Sequence, residues 1–235
     1  MASIYLIRHG QASFGSDNYD QLSPLGQRQA DVTGQYLAKI GLQVDAAVAG
    51  SLSRQQETGE RVLAGLGKPC ELQTDVRFNE VDNDEQVKTL LPRLVEQNPT
   101  LAEIVNRGMS SSKDYQKVID AVFNAWVSPD CPECGITPWP EYRDGVASAL
   151  KQVMTSVGAG KNTLVFTSGG TIATAVGLIV GVEHSGFYQF YEPVMNCSIT
   201  RVIYSRNRVS LSNFNDTAHL EWLSAEFNEA LVTYR

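Results

Sequence analysis

The chain has 235 residues, enough for one sizeable domain, and its 43% apolar and 19% charged content is that of an ordinary globular protein. A net charge of −7, a pI near 5.0 and scattered Lys and Arg exclude the basic footprint of a nucleic-acid binder. No apolar run reaches the roughly 18 residues of a membrane span, and the opening MASIYLIRHG lacks the basic and apolar regions of a signal peptide.

Residues 3–7 are a compact β-rich run, predicted as the first strand. A polar loop over 11–22 follows. Ser23-Pro24 then supplies an N-cap with proline at the first helical position. Leu25, Val32, Tyr36, Leu37 and Ile40 recur at helical spacing until Gly41 stops the helix. Residues 45–49 read as a second strand, 53–66 as a second helix and 70–76 as a third strand. Residues 84–126 are mostly helical in pattern, with breaks near Pro99 and at 109–112. A proline-rich loop over 127–140 leads to an amphipathic helix over 141–157. We read 84–140 as a helical insertion that packs on the sheet and caps a site, within one domain spanning 1–235. Alternation resumes with a strand at 162–167, Ser168-Gly169-Gly170, an apolar helix over 171–182 and closing strands at 198–204 and 208–212. Strands alternating with helices predict an α/β layered sheet, without internal repeats.

Four cysteines are present: Cys70, Cys131, Cys134 and Cys197. Cys131 and Cys134 form a C-x-x-C pair, but no second pair or nearby histidine completes a zinc set. Two loop thiols in a reducing cytoplasm are the expectation. No metal or cofactor is implied.

In open parallel sheets, ligands bind beyond the carboxyl ends of strands. Arg8-His9-Gly10 closes the first strand, and Ser168-Gly169-Gly170 closes the strand over 162–167 and opens a helix. Two glycines at a helix start let backbone N–H groups approach an anion. The Arg8 fork matches phosphate oxygens, and a neutral His9 imidazole beside it suits attack on phosphorus. Arg54, opening the second helix, adds a second cation at the same sheet edge. Glu80 offers a carboxyl group that burial or phosphate charge can turn into a proton donor. Taken singly, each has a bland alternative: a structural histidine, a surface charge, a turn carboxylate. Together they fill the roles phosphoryl transfer needs.

The same residues resemble the histidine phosphatase superfamily, which includes the cofactor-dependent phosphoglycerate mutases. LIRHG at 6–10 is similar to its signature, and YDQLSPLGQRQA at 19–30 to the stretch after the first loop. SLSRQQETG at 51–59 resembles the segment with the second phosphate-binding arginine, FNE at 78–80 the position of the proton donor, and NDTAHL at 215–220 a common ending. The resemblance implies a three-layer α/β/α sandwich with a mainly parallel, phosphoglycerate mutase-like sheet. It also implies His9 as nucleophile, Arg8 and Arg54 as phosphate clamps, Glu80 as acid, and no metal.

One departure stands out. The family places a second histidine before the two glycines, and here Ser168 stands there, as a donor to phosphate beside the Gly169 N–H. Losing a hydrogen bond from a charged donor costs about 1.5–3 kcal/mol, roughly 10- to 150-fold in rate. That weakens such a site without abolishing it. His184 lies beyond the following helix, roughly 18 Å from its start, and His219 is expected to be structural.

The leading expectation is a phosphomonoesterase acting through phospho-His9 on a small phosphorylated substrate or releasing inorganic phosphate, with no nucleic-acid or membrane partner and a homodimer left open. A weakened or non-catalytic phospholigand binder is the alternative. A phosphoglycerate mutase fits less well, because the acidic Val81-Asp82-Asn83-Asp84 repels a second phosphate or carboxylate. A serine hydrolase built on Ser168 lacks the glycine two residues earlier, where Phe166 stands. Trp126, Trp139 and Tyr142 either line the pocket or, more commonly for such residues, anchor the cap.

Overall fold

A computed structural model describes residues 2–13, 20–67, 70–109, 111–131, 135–206 and 208–234. Tyr19, Pro132 and Cys134, which entered the sequence reading, lie outside these residues.

Among the described residues six strands form one sheet: β1 (Ala2–Arg8), β2 (Ala46–Ala49), β3 (Leu72–Thr74), β4 (Asn162–Thr167), β5 (Ile199–Ser205) and β6 (Arg208–Asp216). Their spatial order is β3-β2-β4-β1-β5-β6. β1 to β4 run parallel, and β5 and β6 close the edge antiparallel. β1 lies in the middle and reads as a nearly continuous apolar run because both of its faces are covered.

Alternate residues sort onto those faces. Ile4, Leu6, Val48 and Val165 join one core with Val146, Ala149 and Leu150 of α6 (Trp139–Val157) and with Ile172 and Val176 of α7 (Gly169–Val180). Ile7, Ala47, Ala49 and Phe166 join the other, with α1 (Pro24–Lys39), α2 (Ser53–Leu66) and Leu220 of the C-terminal helix Ala218–Phe227. The result is the three-layer α/β/α arrangement that the sequence predicted.

Between α2 and α6 the chain adds α3 (Asn83–Gln97), α4 (Pro99–Asn106) and α5 (Ser112–Val127). Asp82, Asn98 and Ser111 cap these helices with their side chains, and the breaks fall at 98 and 107–111, as expected. Their apolar faces build a third core of Leu90, Leu101, Ile104, Val118 and Phe123. Trp126 and Trp139 belong to this core, 1% and 6% exposed, with ring centroids 5.1 Å apart. They anchor the helices. Among the described residues no helix is long and apolar enough to cross a membrane.

Several elements differ from expectation, the short helical turns His184–Phe187 and Tyr188–Tyr191 among them. β3 is shorter, because a 3-10 turn at Val76–Phe78 begins where the strand was expected to continue. β6 runs on to Asp216, since Asn213 and Asn215 bond within the sheet edge. The helix Ala218–Phe227 was not anticipated.

Ser23 caps α1 by accepting from the Gly26 N–H at 3.0 Å. Gly26 itself meets the loop after β1 so closely that a Cβ there would stand 2.1 Å from the Gln11 carbonyl oxygen. Backbone cannot yield as a side chain can. Gly26→Ala should therefore lower stability in urea unfolding by roughly 1–3 kcal/mol, and an unchanged midpoint would show that the loop gives way freely.

Candidate active site

The parallel register of β1 and β4 pairs Arg8 with Thr167, and β2 and β4 pair Ala49 with Phe166. The carboxyl ends of three strands thus share one edge, and the side chains that follow them converge. Arg8, His9, Arg54 and Glu80 line a single cavity of about 400 Å³ there.

His9 continues β1, its N–H donating to the Thr167 carbonyl at 2.8 Å and its own carbonyl accepting from Asn196 at 3.1 Å. The ring is 5% exposed, and Nδ1 lies 2.7 Å from the Gly10 carbonyl. A carbonyl only accepts, so Nδ1 carries the proton and Nε2 presents its lone pair. Burial, then the charges of Arg8 and Arg54, push the imidazole well below its ordinary pKa of 6.5. The imidazole is thus buried and neutral, with its tautomer fixed and Nε2 turned to the cavity.

Arg54 opens α2 and donates from Nε to His9 Nε2 at 3.3 Å. Its Nη1 meets Asp20 at 2.7 Å, and the other Asp20 oxygen accepts from the Ser53 N–H at 2.8 Å. Asp20 thereby caps the start of α2 and aims the guanidinium. Sequence reading missed it, because nothing local marks a loop aspartate as the partner of a residue 34 positions on.

Arg8 is tied from behind. Its Nη1 donates to the carbonyls of Val194 and of Tyr234, the latter at 2.9 Å, and Tyr234 places its ring 5.8 Å from the guanidinium. The tail is itself strapped down: Gln29 Nε2 bonds Leu231 O and Thr233 Oγ1, both at 2.8 Å, and Leu231 is fully buried.

Glu80 follows the buried Phe78, whose carbonyl accepts from Gln55 Nε2 and Thr167 Oγ1. Its carboxylate accepts from the Gly170 N–H at 3.0 and 3.2 Å and from the Val81 N–H at 3.1 Å. Burial nevertheless outweighs these bonds and both arginines, and raises the pKa above its ordinary value. Gly170 must be glycine, for a Cβ there would lie 2.3 Å from Glu80 Oε1. The anion received by the start of α7 is therefore this carboxylate.

Ser168 and Gly169 do not line the cavity; both are buried behind it. The Ser168 hydroxyl accepts from Gln55 Nε2 at 2.8 Å, while Gln55 Oε1 has no hydrogen-bond partner. Gly169 sits under the Tyr191 ring, and a Cβ there would be 3.1 Å from it. Neither Gln55 nor Tyr191 carried a sequence signal. Gln55 is separated from Ser168 by 113 positions.

The other histidines are elsewhere. His184 lines a different cavity of about 530 Å³ with Trp126, Trp139 and Phe187. His219 stacks on Tyr36 and bonds Thr33, and burial lowers its pKa to about 4, as suits a structural, neutral ring. Cys70 and Cys197 are free thiols, and among the described residues no group of His, Cys, Asp and Glu is arranged to hold a metal.

Known proteins resemble this chain in sequence and fold. Mitochondrial serine/threonine-protein phosphatase PGAM5 of Rattus norvegicus is 40% identical over 75 residues, 31% of this chain and only 26% of that protein. The 2,3-bisphosphoglycerate-dependent phosphoglycerate mutase of Brucella ovis is 34% identical over 87 residues, 34% of this chain and 42% of that one. The chain thus spans well under half the length of these curated relatives. A phosphoserine phosphatase of Entamoeba histolytica, solved as a mutant with phosphoserine, superposes with a TM-score of 0.66 over 94% of this chain and 100% of that one, at 18% identity. A phosphoglycerate mutase of Bacillus anthracis gives 0.66 over 94% and 95%, at 17% identity. These two share the fold. The model of the histidine phosphatase superfamily, branch 1, matches residues 4–108 and 87–217, and the chain belongs to that family.

Proposed function

We propose that the protein is a phosphomonoesterase working through a phosphohistidine on His9. The observation that carries this reading is the buried neutral imidazole, with Nδ1 fixed by the Gly10 carbonyl and Nε2 facing a cavity that also holds two guanidinium groups. In the resting site Arg54 covers the Nε2 lone pair. An incoming phosphate dianion draws that guanidinium onto its oxygens and uncovers the nucleophile. Nε2 then forms the bond to phosphorus as the ester P–O bond breaks, and Glu80 gives its proton to the departing alkoxide. Water attacks the phosphohistidine, Glu80 takes the water proton, the P–N bond breaks, and phosphate leaves. Arg8 and Arg54 meet the charge on the equatorial oxygens, so the scheme needs no metal. Ser168 and Gly169 support the clamp from behind. Free thiols on Cys70 and Cys197 agree with a reducing compartment such as the cytoplasm.

The second reading, a phospholigand binder without turnover, draws on one observation. No second imidazole joins His9, since Ser168 is locked by Gln55 and the other two histidines lie elsewhere.

Metal-free hydrolysis of an aryl phosphate should vanish in His9→Ala, and an acid-labile phosphoenzyme should be trapped only when His9 is present. Turnover surviving that substitution would sink the scheme. Glu80→Gln should slow an alkyl phosphate by about 10²–10⁴-fold and p-nitrophenyl phosphate far less, because nitrophenolate leaves without a proton. Equal losses on both substrates would remove Glu80 as the acid.

His9 should stay neutral well below pH 6.5 in an NMR titration, as the proton-on-Nδ1 tautomer. A midpoint at or above 6.5 contradicts the desolvated site. The buried Ser168–Gln55 pair leaves no space for an imidazole at 168. Ser168→His alone should therefore destabilise the fold, while Ser168→His with Gln55→Ala should fold and turn over faster than Gln55→Ala by about 10- to 150-fold, the worth of one charged donor. Wild type that binds phosphate without turnover, with activity appearing only in the double variant, would select the second reading.

A further inference from the structure

The cavity around His9 is chemically lopsided. Among its described lining residues the only Lys or Arg side chains are Arg8 and Arg54, and both stand beside His9. Tyr115, Ile119 and Tyr191 give it an apolar and aromatic wall, and the exposed rim carries Asp82 and Asp84. Tyr191 is a fixed wall. Asn83 donates to its hydroxyl at 3.0 Å, its ring stacks on Phe123 at 5.3 Å between centroids, and its edge lies against Gly169. A rigid aromatic face costs little to order when a flat or apolar group lands on it.

Charge sets the rest. A phosphate monoester brings close to two negative charges at neutral pH, and Arg8 and Arg54 answer them. A second anionic group on the substrate would then meet no cation and would face two carboxylates. A cationic group would be drawn to the rim and to the ring faces just inside it. The volume of about 400 Å³ suits a phosphate with one ring or short apolar body.

Resting on the phosphatase reading above, we propose the substrate class: a small phosphate monoester whose alcohol carries an aromatic or apolar body against Tyr115, Ile119 and Tyr191, and a positive charge facing Asp82 and Asp84.

Phenyl phosphate, O-phosphotyramine and 4-carboxyphenyl phosphate release phenols of similar acidity and differ mainly in outer charge. Relative to phenyl phosphate, kcat/KM should be about tenfold higher for phosphotyramine and about tenfold lower for the carboxylate, the size of one charge pair across a partly solvated cavity. Asp82→Asn with Asp84→Asn, which keeps a capping side chain at 82, should compress the whole range to within about threefold. A flat or reversed order in wild type overturns the class. So does a phosphotyrosine peptide rich in Lys and Arg that outruns phosphotyramine, since that would assign the charge preference to a protein surface.

The phosphatase reading fails separately, through absent turnover or turnover without His9. In that case calorimetric binding of 4-aminomethyl- and 4-carboxybenzylphosphonate still decides the class. Tighter binding of the amine upholds it, and equal binding, or none, overturns it.

Discussion

The parallel pairing of β1 with β4 is the constraint on which everything at the site depends. Because Arg8 lies opposite Thr167, the residues after both strands leave the sheet at the same height. The His9 N–H is spent on Thr167, and the carbonyls of Arg8 and His9 are both reached by the Cys197 N–H before β5. The backbone around His9 is thus satisfied by two separate segments. A slip of one residue would turn His9 to the opposite face of the sheet. The apolar alternation of Ile4 and Leu6 against Tyr5 and Ile7 prevents that slip, since each set is matched to its own core.

Within that frame the electrostatics are arranged as mutual dependencies. His9 is neutral because it is buried and because Arg8 and Arg54 would repel a proton. Glu80 holds its proton more tightly than an exposed glutamate although the same arginines and the Gly170 N–H favour its charged form, so burial is the larger effect. The two shifts run in opposite directions, which is the pattern of a base-like nucleophile beside an acid. A dianion entering the cavity would favour protonated Glu80 further and occupy the guanidinium that covers Nε2. The ligand itself would complete the site.

Much of this was legible in the chain, and the reasons differ by element. β1, β2 and β4 are buried on both faces, so they appear as plain apolar runs. The start of α1 is written in Ser23-Pro24, and its end in Gly41. Arg8, His9, Arg54 and Glu80 stand at element boundaries, which is why their convergence followed from strand ends alone. The helix Ala218–Phe227 escaped because one of its three buried positions is His219, which interrupts the apolar period. The extension of β6 escaped because Asn213, Asn215 and Asp216 break the apolar run, yet the Arg201 N–H donates to the Asn213 side chain and the Asn215 N–H to the Thr200 hydroxyl at an irregular edge. Asp20, Gln55, Tyr191 and Tyr234 were invisible for one shared reason. Each acts through a long-range contact whose partner is fixed by the whole fold.

Gln55 shows how far such a contact can alter the meaning of a motif. In sequence, Ser168 is a missing histidine beside an anion-ready pair of glycines. In space it is a buried hydroxyl that accepts from Gln55, whose amide also holds the Phe78 carbonyl two residues before Glu80. One side chain therefore links the β4 exit to the turn that carries the acid. The positive charge an imidazolium would have brought is absent, and the Gly170 N–H, two residues on, is given to Glu80. On the proposed reading, what remains for phosphate is the pair of arginines, each already held from behind: Arg8 by two carbonyls, Arg54 by Asp20. Donors aligned before the ligand arrives lose little entropy when it does. A site with fewer charged donors can thus retain its grip on phosphate by fixing more firmly the ones it keeps.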